Sequence, residues 1–476
     1  MMKAFFAIVA LTFRNAVRSH IFQLLLALLL ICVIVIPVSV SVGKLDDLIR
    51  VSLLYSPWAV SIILELSSLW LGCYLMSFDI DSYQIHMVIS KPISRITVWL
   101  GKWAGINLIN IILLLLSGAV IYGIVMIRYN AASEEGLLSD RVTARQNAQS
   151  EKERIRSQVL VGRRSFMPRK QDPEKAADFA VKNQVAKLRE QGKQPVDSEI
   201  LKIRNELRAQ IDKLPIEVQP GKGYRWVFEN IPVKLNESSL TLRYRPYLGK
   251  VATEDQRESH IQWAVYSPHT AQDGTYGLYP VALTNGPEAH FTGIFHEKNL
   301  PKGVITPEGV VIIETANFDR MGGKHYYQQA DGPKLLVPVC SFEANYLRAM
   351  LVLMIQLLLL SGLACAFGGF LTMPTAVFMV ASYLLFGSLS LILTDETFFT
   401  SNIWDHAGQF LARVLLWIVI PLQRFDVTDL LSNGDLIEFS LIGELFLWYF
   451  LARGVPLFLL GIFFYWRREM GAAVRK

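Results

Sequence analysis

The residues best suited by type to chemistry are few, and their spacings rule out most of it. Asp79 and Asp81 form a closely spaced carboxylate pair, the raw material of a general acid and base. No partner group lies near them in the chain, and a solvated loop face is the better account. His296-Glu297 opens the zinc-protease pattern, but no second histidine follows at the required spacing. Gly322-Gly323-Lys324-His325 lacks the leading glycine and the Ser/Thr of a phosphate-cradling loop, and GxxxxGK[ST] occurs nowhere else. No GxSxG elbow is present. Cys32, Cys73, Cys340 and Cys365 are far apart and make neither a CxxC nor a metal spacing, so they read as small apolar residues. The chain is therefore not expected to be an enzyme by itself, nor to carry a cofactor or metal.

The elements that position these residues are mostly apolar. Hydrophobic residues make up 52% of the 476 and charged residues only 18%, below the ~25% of soluble chains. A crossing needs about 20 apolar residues. Ile21–Val42, Leu53–Met76, Trp103–Ile127, Tyr346–Gly368, Phe370–Leu393 and Gly443–Trp466 qualify, the fourth and fifth separated by a break at Gly368-Gly369. Phe410–Pro421, with Arg413 inside it, is too short to cross and reads as interfacial or re-entrant. Basic residues collect at 1–20, 77–102 and 467–476, which places both termini in the cytoplasm and residues 128–345 outside it. In so apolar a chain the net charge of +6 reflects this decoration, and no nucleic-acid partner is expected. Phe5, Val9, Phe13 and Val17 share one helical face, so residues 1–20 are expected to form an interfacial amphipathic helix and not a cleaved signal.

The water-facing insertion changes texture along its length. Ile200, Ile203, Leu207, Ile211 and Leu214 mark a helical seam that pairs with Glu174–Glu190 as a hairpin. Residues 140–172, with Arg163-Arg164 and Arg169-Lys170, have few apolar anchors and read as a solvated stretch. Beyond Tyr224, the runs Tyr224–Phe228, Leu240–Tyr244, Ile261–Tyr266, Leu278–Leu283 and Val310–Glu314 alternate with turn signals, the pattern of an antiparallel β-sandwich. His269, His290, His296 and His325 fall there and read as its core and edge residues. The fold class expected is an α-helical membrane protein with six transmembrane helices plus an α+β extracytoplasmic domain (helical hairpin and antiparallel β-sandwich). Its divisions are 1–127, 128–223, 224–342 and 343–476.

Residues 77–102 are the most informative. Two aspartates precede a mixed helix, Pro92 fixes a turn flanked by Lys91 and Arg95, and Gly101-Lys102 opens the next span. The result is a short charged element held close to the membrane, suited to docking a soluble partner. This segment resembles the cytoplasmic loop of type-2 ABC transporter permeases, in which an acidic residue precedes a helix and a PxSR…GK stretch. The matching positions are Pro92, Ser94, Arg95, Gly101 and Lys102. Asp79 and Asp81 stand where a glutamate is frequent in the family, and the usual Gly-Thr is missing. Trp417–Asp426 is similar to the family's external half-helix hairpin, assigned here to 406–426, and Tyr465–Met470 to its cytoplasmic end. The resemblance covers residues 1–127 and 346–476 and leaves 128–345 as an insertion.

The resemblance implies a subunit that couples ATP hydrolysis on a separate ATPase to export or extracytoplasmic handling of a substrate in a bacterial inner membrane. It implies pairing with a second permease copy, ATP and Mg held by the partner ATPase, and coupling through Asp79, Asp81, Lys91, Pro92, Ser94, Arg95 and Lys102. A rival reading is a membrane-anchored assembly or force-transmitting protein whose outer domain holds a protein or glycan partner without transport. A membrane enzyme with its site in the sandwich is a third, and it lacks a catalytic constellation. Glu65 and Arg453 lie inside the second and sixth spans at similar depth, roughly 15–18 Å from the external end. Charges in hydrocarbon seek partners, so a Glu65–Arg453 pair is expected, within one chain or across two copies, with a structural role or one in substrate passage.

Overall fold

The computed structural model describes residues 2–39, 45–81, 93–137, 142–170, 215–249, 258–270, 276–319, 322–394 and 403–467, with scattered positions between 178 and 204. The chain divides into two compact units, Met1–Gly162 with Cys340–Lys476, and Arg163–Val339. The first is helical and the second is built on β-sheets.

In the helical unit, α1 spans Met2–Arg18, α2 His20–Ser39, α3 Leu45–Asp81, α4 Arg95–Leu137 and α5 Val142–Gln158. After the insertion come α6 Phe342–Phe370, α7 Met373–Thr394, α8 Ile403–Ile418, α9 Thr428–Ser432 and α10 Phe439–Arg467. A π-helical segment, Glu444–Gly454, lies inside α10. Among the described residues α2, α3, α4, α6 and α10 are long and apolar enough to cross a membrane, which makes this an integral membrane protein. The fifth expected span coincides with α7, whose apolar stretch is described only as the shorter Met373–Leu389. The six-span count thus stays an expectation.

The glycine pair expected to separate the fourth and fifth spans lies inside α6, and the chain turns instead at Leu371-Thr372. Pro374 follows in the first turn of α7, where its missing N–H costs nothing. The glycines serve packing. A Cβ at Gly368 would meet the Cα of Cys73 at 2.9 Å, and one at Gly72 would strike Ala364. Backbone contact of this kind is the standard basis of helix association in lipid, where small residues let helices approach. Ser77 adds a hydrogen bond to the Gly368 carbonyl at 3.1 Å.

The second unit holds three antiparallel sheets where a two-sheet sandwich is expected. Its strands are β1 Val161–Phe166, β2 Ile216–Val218, β3 Gly223–Phe228, β4 Thr241–Tyr244, β5 Tyr247–Leu248 and β6 Glu258–Thr270. They continue with β7 Tyr276–Ala282, β8 Glu288–Phe291, β9 His296–Asn299, β10 Val311–Asn317, β11 His325–Tyr327 and β12 Lys334–Ser341. The sheets run β1-β12-β4-β9, β3-β10-β6-β7 with β8 also on β6, and β2-β11-β5. β10 shows the causal pattern. Val311, Ile313, Thr315 and Asn317 point inward, and Ile312, Glu314 and Ala316 alternate with them. Ile313 lies opposite Trp226 on β3 and Val265 on β6, so the inward rows merge into one core with Trp263, Tyr327, Leu242 and Leu335.

Two expectations are corrected here. Residues 142–158 form α5, and 161–166 are a strand, so the stretch read as solvated is ordered. A boundary at 223/224 is not found, because β1 and β2 belong to the sheets and α5 to the helical unit. Most of the helical hairpin lies outside the described residues. Those described there are helical, and Asp178 and Arg204 form an ion pair at 2.8 Å.

Candidate functional site

The start of α4 is fixed by its own sequence. Ser94 Oγ accepts from the Thr97 backbone N–H at 3.2 Å and meets Thr97 Oγ1 at 2.7 Å, an N-cap for the first turn. Arg95 donates to the Trp466 carbonyl at 2.6 Å and so ties the start of α4 to the end of α10. Lys102 is buried, and its ammonium donates to the Leu75 carbonyl of α3. A carbonyl carries only a partial charge, so this bond stabilises the ammonium without neutralising it.

The N-terminal helix docks on the same stretch. A Cβ at Gly101 would meet Ile8 Cγ2 at 2.8 Å, and one at Gly105 would meet Thr12 Cβ at 2.7 Å. The buried face of α1 is therefore Ile8, Thr12 and Ala16. The row expected as the apolar face of an interfacial helix, Phe5, Val9, Phe13 and Val17, lies beside it, half-buried at its first three positions and exposed at the last. Small and β-branched residues win because the two glycines of α4 admit only a close approach; the larger apolar groups are left to lipid. Between the helices a cavity of about 20 Å³, lined by Leu11, Asn15, Leu75 and Val98, has room for about one water.

Of the expected coupling residues, the structure brings Ser94, Arg95 and Lys102 together with the end of α3, the end of α10 and α1. Asp79 and Asp81 lie in the last turn of α3, their side chains outside the described set. Lys91 and Pro92 also lie outside the described residues.

The expected Glu65–Arg453 pair does not form within the chain. Glu65 accepts from Ser61 at 3.1 Å, one turn away. Arg453 donates to the Leu416 carbonyl at 2.6 Å, and its guanidinium lies over the Tyr449 ring at 4.9 Å and the Trp448 ring at 5.6 Å. The last turn of α8 and the π-helical segment thus supply what a carboxylate was expected to supply.

In the sheet unit, the Arg163 side chain is fully buried and meets both Glu297 oxygens, at 3.1 and 3.2 Å. Arg243 reaches the same carboxylate at 2.7 Å. Glu297 is thus committed to two arginines, which removes it as a catalytic base. Lys324 pairs with Glu217 at 2.7 Å, and the neighbouring His325 is wholly buried. Burial pushes His325 down to about 4, and His260 works in the same direction against Asp319. His290 is likewise held at about 4, by burial and by His296, whose ring lies 4.9 Å away. His296 meets the Phe291 carbonyl at 2.8 Å. The His269 side chain is outside the described set. No group of three or more His, Cys, Asp or Glu residues arranged to hold a metal occurs among the described residues. A cleft of about 280 Å³ lies between Met167, Arg169, Lys170, Ile216, Trp226 and Tyr327.

Two features escaped the sequence. Arg163 looked solvated because its carboxylate partner is 134 positions away. The polar set Asn107, Asn110 and Ser361 is buried inside apolar helices, and only the lone amides in Trp103–Ile127 signal it. Comparisons with protein-family models, with curated proteins and with solved structures find no match to this chain.

Proposed function

We propose that the chain is the membrane-spanning permease subunit of an ABC transporter, coupling ATP hydrolysis on a separate ATPase subunit to export or extracytoplasmic handling of a substrate. The observation that carries this reading is the tying of four elements: α1 on Gly101 and Gly105, Lys102 on the end of α3, and Arg95 on the end of α10. A push on the 77–102 segment would then reach α1, α3, α4 and α10 at once, because each is bonded or packed to the start of α4. In this reading a second copy completes the permease, six helices cross the bilayer, both termini and 77–102 are cytoplasmic, and ATP and Mg sit on the partner. The Arg163–Val339 unit is extracytoplasmic and meets a protein or glycan.

The test is co-purification from native membranes. A stoichiometric ATPase should accompany the chain, and Lys91→Glu with Asp79→Lys should reduce its recovery by about ten-fold, since like-charge contacts at an interface cost heavily. Recovery of the intact chain with no ATPase under mild conditions would sink the reading. The compact, separate Arg163–Val339 unit also favours force transmission to an outer partner. Solute movement in liposomes holding chain and ATPase separates the two: transport requires it, and force transmission proceeds without it.

A further inference from the structure

Asn110 is fully buried in α4, and neither its amide oxygen nor its amide nitrogen has a hydrogen-bond partner among the described residues. Ser68 of α3 is equally buried, and its hydroxyl is equally unpartnered there. A polar group moved into an apolar interior loses the hydrogen bonds water gave it, and nearly all such groups in folded proteins recover them. Each of these two orphans, on helices that follow one another in the chain, therefore needs a partner.

Helix geometry brings them to one place. The bond from Lys102 to the Leu75 carbonyl sets α4 and α3 antiparallel at a shared level. Asn110 lies eight residues beyond Lys102 and Ser68 seven before Leu75. Their heights therefore agree to within the reach of the lysine stem, about one helical turn or ~5.4 Å. Seven residues are close to two turns, so Ser68 keeps the face of Leu75, and Asn110 keeps the face of Trp103. The Trp103 indole donates to the Leu358 carbonyl at 3.1 Å, so that face looks toward α6. One turn away, Ser361 of α6 donates to the Asn107 amide oxygen at 3.0 Å, and both residues are buried. Ser68, Asn107, Asn110 and Ser361 thus form a polar patch enclosed by α3, α4 and α6.

We propose that this patch is an internal binding site of the helical unit that takes water or an uncharged hydroxyl or amide group. The chemistry of the set argues for that class. All four side chains are neutral, and the unpartnered pair, Ser68 and Asn110, offers both donors and acceptors. None of the four brings a charge of its own, so an ion would draw no counter-charge from the patch itself. The inference stands on its own and does not depend on an ATPase partner.

The test is thiol accessibility in native membranes. Ser68→Cys and Asn110→Cys are treated with a small water-soluble methanethiosulfonate, and the modified peptide is identified by mass, so the four natural cysteines do not interfere. Ile109→Cys, equally buried but on an apolar face, is the comparator. Thiolate formation needs water, so the two polar-site thiols should react about ten-fold faster than the comparator. Equally slow rates for all three, with full labelling after unfolding in detergent, would overturn the proposal. If Asn110→Cys fails to assemble, Ser68→Cys alone decides. Adding Asn110→Leu to Ser68→Cys should slow its labelling by about ten-fold by drying the shared site. An unchanged rate there would overturn the claim that the two residues serve one site.

Discussion

The two units solve the same problem, a cation out of water, in opposite ways. In the sheet unit, buried Arg163 is met by a carboxylate, Glu297, which Arg243 shares. In the helical unit, Lys102 and Arg453 are met by main-chain carbonyls, those of Leu75 and Leu416. The difference follows from the surroundings. A carboxylate brought to a cation in an apolar bundle must itself be desolvated, whereas a carbonyl has a second lone pair to offer, and that of Leu416, in the last turn of α8, is short of a donor as well. In the sheets, strands that expose one flank to water can supply a full counter-ion at smaller cost. Arg163 is thus met by a full counter-ion and Arg453 by the backbone, while Asp46 of the helical unit, paired with Arg50 and Arg154, shows that ion pairs also occur there.

The largest blow to this contrast is Glu297→Ala. It removes the carboxylate shared by two arginines, one without any exposure, and should destabilise the Arg163–Val339 unit by about 3–5 kcal/mol. Thermal unfolding of the full chain in mild detergent measures it; a loss below about 1 kcal/mol would mean the arginines find water after all. Acid comes next. The His325 imidazole titrates at about 4 folded and near 6.5 unfolded, so the unfolded chain takes up the proton first. Its contribution is complete above pH 6.5 and is lost as pH falls toward 4, amounting to about 3 kcal/mol when the loss is full. His290 shifts the same way and adds a smaller share. Unfolding of the sheet unit followed by protease sensitivity from pH 7 to pH 4 should show the decline; a flat profile would contradict it.

Smaller effects sharpen the other half. Lys102→Met keeps the length and apolar stem but removes the donor to Leu75, and should cost about 1–2 kcal/mol, since the carbonyl left behind keeps its place in the α3 ladder. A loss as large as that for Glu297→Ala would erase the distinction between the units. Ser94→Ala removes the cap of α4 and should cost about 1 kcal/mol, read as increased hydrogen exchange at the first turn. Arg169→Ala breaks an exposed pair with Glu229 and should change stability by less than about 0.5 kcal/mol.

How much of this was legible depends on whether the cause was local. The spans were readable because hydrocarbon demands a long apolar run, and α3, α4, α6 and α10 each contain one. The strands beyond Tyr224 were readable because side chains alternate with period two, as in β10. The break between α6 and α7 was misplaced because Gly368-Gly369 looks like punctuation, whereas its function is the approach to Cys73. The face of α1 that packs on α4 was not read, because hydrophobicity marks the apolar row of Phe5 and Phe13, while the glycines of α4 select Ile8 and Thr12. Short strands such as β2, β9 and β11, and the pairing of Arg163 with Glu297, depend on residues distant in the chain, and no local pattern announces them. At the candidate site, Ser94 was named from the PxSR stretch, but its capping of α4 was not read. Nor were the ties from Arg95 and Lys102, because each ends on a carbonyl, which carries no residue identity.

One structural detail has an architectural consequence. The chain leaves the helical unit at Gly162 and re-enters at Cys340, and a side chain at Gly162 would collide with the Cys340 sulfur and lie 3.3 Å from Asn345. β1 and β12, which carry exit and return, are adjacent strands. Entry and departure through neighbouring doors make the Arg163–Val339 unit a cassette. Such a graft can be shortened, enlarged or swapped for a short hairpin without restringing the helices around it.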